Sequence, residues 1–331
     1  PVTEALMDAL DCQFTIATPA FPDNGRTVFK GYLFAGAVLL NESGMQNHPL
    51  TPMTDANLVR VMQAQTKRKV GLIDHTVMAK GSAAISEKIK QLQADGVGVA
   101  IVDATSNEDL KTLGPALKKM PLVTAGSGVA IGLPANWNLH ASASAAALPK
   151  ATGHQAIVSG SCSIATQGQV AHYQSLGLPS WQFKPLSWST HDVPAHIQSQ
   201  VAQALAWAEP LLGKGPVLIY ATTDADTLQQ VQAKFGREQA GEWMESALAQ
   251  VSVGLLKLGV KQWVIAGGET SGACVQALTI SQMQIGPQID PGVPWCYAPQ
   301  HAAGHLTLKS GNFGTPDFFT KALKLLSETR A

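Results

Sequence analysis

Val264-Ile265-Ala266-Gly267-Gly268-Glu269-Thr270-Ser271-Gly272-Ala273-Cys274 carries an apolar strand pattern straight into a glycine pair and out again into a helix-compatible run. Glycine at 267 and 268 lets the main chain approach a ligand with no Cβ in the way, and Thr270 and Ser271 bring hydroxyls. The first turn of the following helix presents N–H groups without intrahelical acceptors at the positive end of its dipole. These are the parts of a phosphate-binding turn. The same residues also suit an ordinary strand-to-helix turn with a Thr or Ser N-cap, so the stretch points to a mechanism and not to a fingerprint.

Outward from this stretch, short β-branched runs alternate with longer amphipathic ones. In the second half the strand patterns are Ala156–Ser159, Phe183–Leu186, Val217–Tyr220, Trp263–Ala266, Met283–Ile285, Trp295–Ala298 and Leu306–Lys309. Helical patterns at Val193–Glu209, Thr227–Phe235, Glu238–Leu258 and Ser271–Leu278 intervene. In the first half, Gln13–Ala17, Val70–Ile73, Val97–Asp103 and Leu122–Thr124 alternate with helical runs at Asp55–Thr66, Ser82–Asp95 and Asn107–Leu117, after an opening helical run at Pro1–Leu10. Within 82–95, Ile85, Ile89 and Leu92 form one apolar stripe and Gly96 supplies the stop. Such alternation predicts βα units around largely parallel sheets. Between Asn136 and His154 the pattern dissolves into small residues broken by Pro149 and Gly153, which places a boundary there. The fold class expected is α/β, as two α/β domains with largely parallel sheets, spanning 1–140 and 151–331.

Two further glycine- and hydroxyl-rich segments follow predicted strands of the second domain: Val158-Ser159-Gly160-Ser161-Cys162-Ser163 and Lys309-Ser310-Gly311-Asn312-Phe313-Gly314. Ligands bind at that edge of a parallel sheet, and several N–H-rich turns meeting there make an anion nest. No Gly-x-x-x-x-Gly-Lys-Ser/Thr is present, and Gly126-Ser127-Gly128-Val129-Ala130-Ile131-Gly132 has one residue too many for the dinucleotide pattern, which argues against a nicotinamide cofactor. His301 and His305 lie four apart, but Gly304 and a strand-like run argue against a helical zinc pair, and no metal ligands are assigned.

The first domain has a dense polar loop, Phe21-Pro22-Asp23-Asn24-Gly25-Arg26-Thr27, and a second region, Gly44-Met45-Gln46-Asn47-His48-Pro49 leading to Thr54-Asp55. Asn24-Gly25 between Phe21 and Val28 predicts a hairpin turn, and Arg26 after it is placed to offer a planar fork to a carboxylate. Asp74-His75 and Asp103-Ala104-Thr105 stand just after predicted strands, where a helix N-cap or a substrate ligand would explain them equally.

The composition narrows the function. The chain has 331 residues, 45% hydrophobic and 14% charged, which accommodates two cores. With 23 basic and 23 acidic residues there is no net pull towards nucleic acid or an anionic membrane, and no basic stripe with interleaved aromatics. No apolar stretch is long enough to span a bilayer, and the start lacks a secretory pattern, so a cytoplasmic protein is expected. Cys12, Cys162, Cys274 and Cys296 are scattered, which suits reduced, mostly buried thiols. A homo-oligomer is compatible with this composition.

With these residues in view, the chain resembles the four-carbon acid sugar kinase family over essentially its whole length, most closely the branch acting on 3-oxo-tetronate. The matching stretches are Pro19–Thr27, Leu40–Met45, Ser159–Ser163 with Thr166 and Gln169, Gly267–Gly272 and Lys309–Gly314. The resemblance implies an N-terminal domain that binds the acid sugar and a C-terminal domain that binds ATP. It further implies Mg²⁺-assisted phosphoryl transfer to the terminal hydroxyl, in a cleft between the domains. Carried over residue by residue, it implies nucleotide contacts from Ser161 or Ser163, from Gly267, Gly268, Glu269, Thr270 and Ser271, and from Gly311. Arg26 falls to the substrate, and the candidates for a catalytic carboxylate are Asp74, Asp103 and Glu269. Family members carry an Ala-Asp-Asp-Phe-Thr-Gly motif after a first strand. Residues 1–18 do not match it, so the resemblance implies that the family's opening segment is absent from this sequence. Two rival expectations stand beside the kinase: a non-catalytic nucleotide- or metabolite-binding protein, and an acid-sugar isomerase or dehydratase.

Overall fold

The computed structural model describes residues 2–47 and 51–328; His48 and Pro49 of the second polar region therefore lie outside the described residues. The chain forms two compact units, Pro1–Ala141 and Ser142–Ala331.

In the first unit, helix α1 (Val2–Ala9) precedes strand β1 (Thr15–Thr18), then β2 (Arg26–Phe29), β3 (Tyr32–Ala35) and β4 (Val38–Leu39). There follow α2 (Leu58–Gln63), β5 (Lys69–Ile73), α3 (His75–Met78), α4 (Ser82–Ala94), β6 (Val97–Val102), α5 (Asn107–Leu113) and β7 (Thr124–Ala125). The main sheet has the order β5-β6-β1-β7 with every pairing parallel. Its central strand β6 is buried along its whole length, which is why it reads as an uninterrupted apolar run. Helix α4 buries Ile85, Ile89 and Leu92, the predicted stripe. Helix α5 starts at a complete capping box between Ser106 and Asp109.

A small antiparallel sheet, β2-β3-β4, was not among the expected strands. Phe21 and Arg26 pair across a four-residue turn over Pro22–Gly25, in which Gly25 takes the left-handed conformation at φ +65. The expected turn at Asn24-Gly25 is present, in this longer form. A second hairpin turns on Lys30 and Gly31, at φ +53 and +77, where both central residues adopt the positive φ of a type I′ turn. Lysine gives no hint of that geometry, so the strands escaped the sequence pattern.

The glycines of 126–132 serve packing. A Cβ on Gly132 would lie 2.1 Å from the Leu110 carbonyl oxygen, and one on Gly128 would lie 2.3 Å from that of Ala20. The segment is a 3₁₀ run laid against backbone, which accounts for its glycines without any ligand.

The second unit comprises β8 (His154–Ser159), α6 (Ile164–Ser175), β9 (Ser180–Gln182), α7 (Val193–Leu212), β10 (Val217–Tyr220), α8 (Ala225–Phe235) and α9 (Arg237–Lys257). It continues with β11 (Val260–Ala266), α10 (Gly268–Ala277), β12 (Gln284–Asp290), β13 (Val293–Tyr297), β14 (His305–Lys309) and α11 (Phe318–Glu328). Seven strands run in the order β12-β13-β14-β11-β8-β10-β9. From β14 to β9 the pairings are parallel, and β13 and β12 add an antiparallel edge. On one face, α7, α9 and α10 pack through Ile197, Val201, Leu248, Val251, Leu255 and Cys274. On the other, α6 and α11 pack through Val170, Tyr173, Phe318, Phe319 and Leu323. The strand expected at Phe183–Leu186 lies earlier, at Ser180–Gln182, because Pro185 has no N–H for a ladder and starts a 3₁₀ turn instead.

Candidate active site

Sheet register decides where the three glycine turns go. Ala266 at the end of β11 is paired with Ser159 at the end of β8 and with Lys309 at the end of β14, so the three strands stop side by side. After β8 the chain crosses to β9 at one edge of the sheet and returns through β10; after β11 it crosses to β12 at the opposite edge and returns through β13 to β14. The crevice between β8 and β11 is therefore a topological switch point, flanked by the turns 160–163 and 267–271.

The turns touch. Gly160 N–H and Ser161 N–H donate to the Ala266 carbonyl at 3.0 and 3.3 Å, and Gly267 N–H donates to the Lys309 carbonyl at 2.8 Å. A Cβ on Gly160 would sit 2.2 Å from Thr270 Oγ1, and one on Gly311 would sit 2.5 Å from Ser161 Oγ and 3.1 Å from Ser163 Oγ. Gly267 needs its glycine for another reason, a backbone φ of +129 that L side chains rarely adopt. Gly268 differs from all of these: a Cβ there meets nothing within 4 Å.

Helix α10 begins at Gly268 with no side-chain cap, leaving its first-turn N–H groups at the mouth of the crevice. Ser271 Oγ is buried there without a hydrogen-bond partner among the described residues. Ser163 caps α6 by accepting from Thr166 N–H at 3.2 Å, and its hydroxyl donates to the Gly311 carbonyl at 2.6 Å. Ser161 Oγ accepts from Ser163 N–H at 3.2 Å. Gln169 Nε2 reaches the carbonyls of Phe313, Gly314 and Thr315, securing the rest of the last turn. Glu269 is exposed on the first turn of α10, close enough to Glu245 on α9 to help hold that half-buried carboxyl above its usual range, after burial itself.

One residue here went unnoticed in the sequence. Lys309 is fully buried, and its ammonium donates to Thr166 Oγ1, the Ser310 carbonyl and the Gly311 carbonyl at 2.9, 3.1 and 2.9 Å. Burial pushes it down to about 7. Its strand position, ending a run that alternates His-Leu-Thr-Leu-Lys, was the available signal: an inward lysine at a strand end adjoining a glycine turn.

In the first unit the polar residues gather around one carboxylate. Asp103, fully buried, accepts from the N–H groups of Lys30, Gly31 and His75 at 2.6, 2.8 and 2.9 Å. Burial raises its carboxyl above the ordinary value, against the lowering effect of these three bonds. Asp74 caps α3 through Thr76 and Val77 and pairs with Lys30 Nζ at 2.7 Å, and these partners hold it far below the usual carboxylate range. Arg26, at the start of β2, is partly buried, and its guanidinium has no hydrogen-bond or ion-pair partner among the described residues; burial lowers its pKa. His305 bonds to the Pro149 carbonyl through Nε2 at 2.8 Å, and no group of three or more metal-binding side chains occurs among the described residues. No described helix is long and apolar enough to cross a membrane.

Comparison with known proteins gives this arrangement its context. Residues 1–133 match a sugar-binding N-terminal domain and residues 156–319 a nucleotide-binding C-terminal domain. A 3-oxo-tetronate kinase of Burkholderia multivorans is 52% identical over 98% of this chain and 75% of its own length. Another, from Cupriavidus necator, is 50% identical over 98% of this chain and 74% of its own. A solved structure from Salmonella typhimurium LT2, described as a presumed tRNA synthase, is 39% identical with a TM-score of 0.76, covering 98% of this chain and 76% of that one. The fold and these likenesses define a two-domain carbohydrate kinase. Within that class, the chain belongs to the family of the 3-oxo-tetronate kinases. Kinase membership displaces both rival expectations, the non-catalytic binder and the isomerase or dehydratase.

Proposed function

We propose that the second unit holds ATP on the three turns ending β8, β11 and β14, that the first unit holds the acid sugar, and that the terminal hydroxyl of 3-oxo-tetronate receives the γ-phosphoryl group to give 3-oxo-tetronate 4-phosphate. The observation that carries this reading is the contact of Gly160 with Thr270 and of Gly311 with Ser161, which gathers three N–H-rich turns at one switch point. Phosphoryl transfer has a loose transition state, so positioning and charge do most of the catalysis.

Nucleotide contacts come from Ser161, from the run Gly267, Gly268, Glu269, Thr270 and Ser271, and from Gly311. Ser161 is preferred to Ser163 because the Ser163 hydroxyl already donates to Gly311, while the Ser161 proton has no acceptor among the described residues. Mg²⁺ suits a site with no acidic cluster among the described residues, since it binds through one or two carboxylates together with phosphate oxygens and water. Glu269 is the carboxylate that would hold it. Held there, the ion would supply charge neutralisation to the triphosphate and offset the repulsion from Glu269.

Arg26 takes the substrate carboxylate, as a half-buried guanidinium without a partner among the described residues. Among the candidate bases, Asp74 is made a weak one by Lys30, and Asp103 is engaged with backbone; Glu269 is more useful as a metal ligand. The direct test is ADP release measured against a panel of four-carbon acids, with the product weighed for one added phosphate. If no acid raises ADP release above the acid-free rate, the reading fails.

Two variants separate the two ligands. Arg26→Ala is expected to raise KM for the acid at least tenfold, with KM for ATP and the melting temperature nearly unchanged; an unaltered acid KM would remove Arg26 from the site. Gly268→Ala adds a methyl group into open space, so thermal stability should hold while ATP affinity falls about tenfold or more through obstruction of the phosphates. Equal ATP affinity in that variant, read by titration calorimetry, would argue that phosphates do not approach the start of α10.

A further inference from the structure

Lys309 is a buried cation of the nucleotide unit's turns that the chemistry proposed above leaves without a task. An ammonium has three donors, and here each has an acceptor: Thr166 Oγ1, the Ser310 carbonyl and the Gly311 carbonyl. No carboxylate is among them. Burial lowers its proton affinity.

The geometry has a consequence for the turn. In a planar trans peptide the C=O and the next residue's N–H point in opposite directions. Two consecutive carbonyls, Ser310 and Gly311, point to the ammonium; the N–H groups of Gly311 and Asn312 therefore point away from it. Consecutive N–H groups turned to one side form an anion nest. The Gly311 carbonyl is also held by Ser163 Oγ and Thr166 Oγ1, which fixes the second peptide from the α6 side.

We propose that Lys309 is a positioning residue for ATP, which draws two carbonyls inward so that the Gly311 N–H faces the phosphates, and which takes up a proton from solvent when the nucleotide binds. The inference rests on the nucleotide site proposed above. Its proton linkage has a definite sign. Burial lowers the lysine to about 7, so in the free protein above that pH the amine is largely neutral and lacks one of its three donors. A polyanion on the nest stabilises the ammonium and raises its pKa. Protons are then taken up on binding, and ATP affinity falls as pH rises through the window above 7.

Titration calorimetry of Mg²⁺–ATP at pH 8, in buffers of different ionisation enthalpy, measures this in the wild-type protein. Phosphate groups are already fully ionised there, their last pKa being about 6. Uptake of a large fraction of one proton per nucleotide is expected. Lys309→Met should lose the uptake and raise KM for ATP at least tenfold with a smaller change in kcat. Lys309→Arg should recover part of the affinity without any uptake, since arginine stays charged. Normal ATP binding with no proton uptake overturns the role of Lys309 and leaves the nucleotide site standing. Failure of the wild-type protein to bind ATP overturns both.

Discussion

Gly160→Ala is expected to lower kcat/KM for ATP by about a hundredfold or more, because a new methyl group would lie 2.2 Å from Thr270 Oγ1 and 2.8 Å from Leu248 Cδ1. Thr270 is almost fully buried and belongs to the first turn of α10, while Leu248, on α9, is fixed in the core. Neither can retreat freely. The strain is relieved by moving the 160–163 turn away from α10, which widens the crevice where the phosphates are gripped. Overpacking of this kind costs about 1–3 kcal/mol of stability, a loss that a two-domain protein can survive. The informative comparison is with Gly268→Ala, which weakens ATP binding by obstruction and leaves the melting temperature alone. If Gly160→Ala keeps wild-type turnover while its melting temperature drops, contact between the two turns is structural only.

The parallel sheets and their order of elements were legible because buried parallel strands read as apolar runs, and β6, β10 and the Trp263–Ala266 part of β11 are marked in this way. Helices α4, α7 and α9 declared themselves by periodicity. The three glycine turns were legible as individual turns. What the sequence could not supply was register: Ser159, Ala266 and Lys309 fall level only once the strands are paired. The β2-β3-β4 sheet was hidden because its tight turn uses lysine at a positive φ, a position where composition points to Asn or Gly. The same hairpin supplies partners for Asp103, where the sequence left an N-cap and a substrate ligand equally open. An aspartate after a strand reads alike whether its oxygens await a ligand or already hold backbone from 72 residues away.

Asp103→Ala is expected to lower the stability of the first unit by about 3 kcal/mol or more, since three partly or wholly buried N–H groups lose their acceptor at about 1–3 kcal/mol each before relaxation. Lys30 holds a left-handed conformation that costs a non-glycine residue about 1 kcal/mol, and the carboxylate is what keeps it there. Thermal unfolding checks the loss, and amide exchange at Lys30 and Gly31 should accelerate before the rest of the unit opens. The functional consequence separates two roles. Strand β2 carries Arg26 at one end and runs into this turn at the other, and Val28 exchanges both backbone bonds with Ala104 next to Asp103. Asp103→Asn keeps the shape and one accepting oxygen, so it should fold, loosen that strand and raise KM for the acid severalfold, with kcat and KM for ATP close to wild type. A general base behaves otherwise: its loss lowers kcat by about a hundredfold to ten-thousandfold at unchanged substrate binding. A collapse of kcat in Asp103→Asn, with its melting temperature preserved, would therefore make Asp103 the proton acceptor and overturn its assignment as the anchor of the Lys30–Gly31 turn.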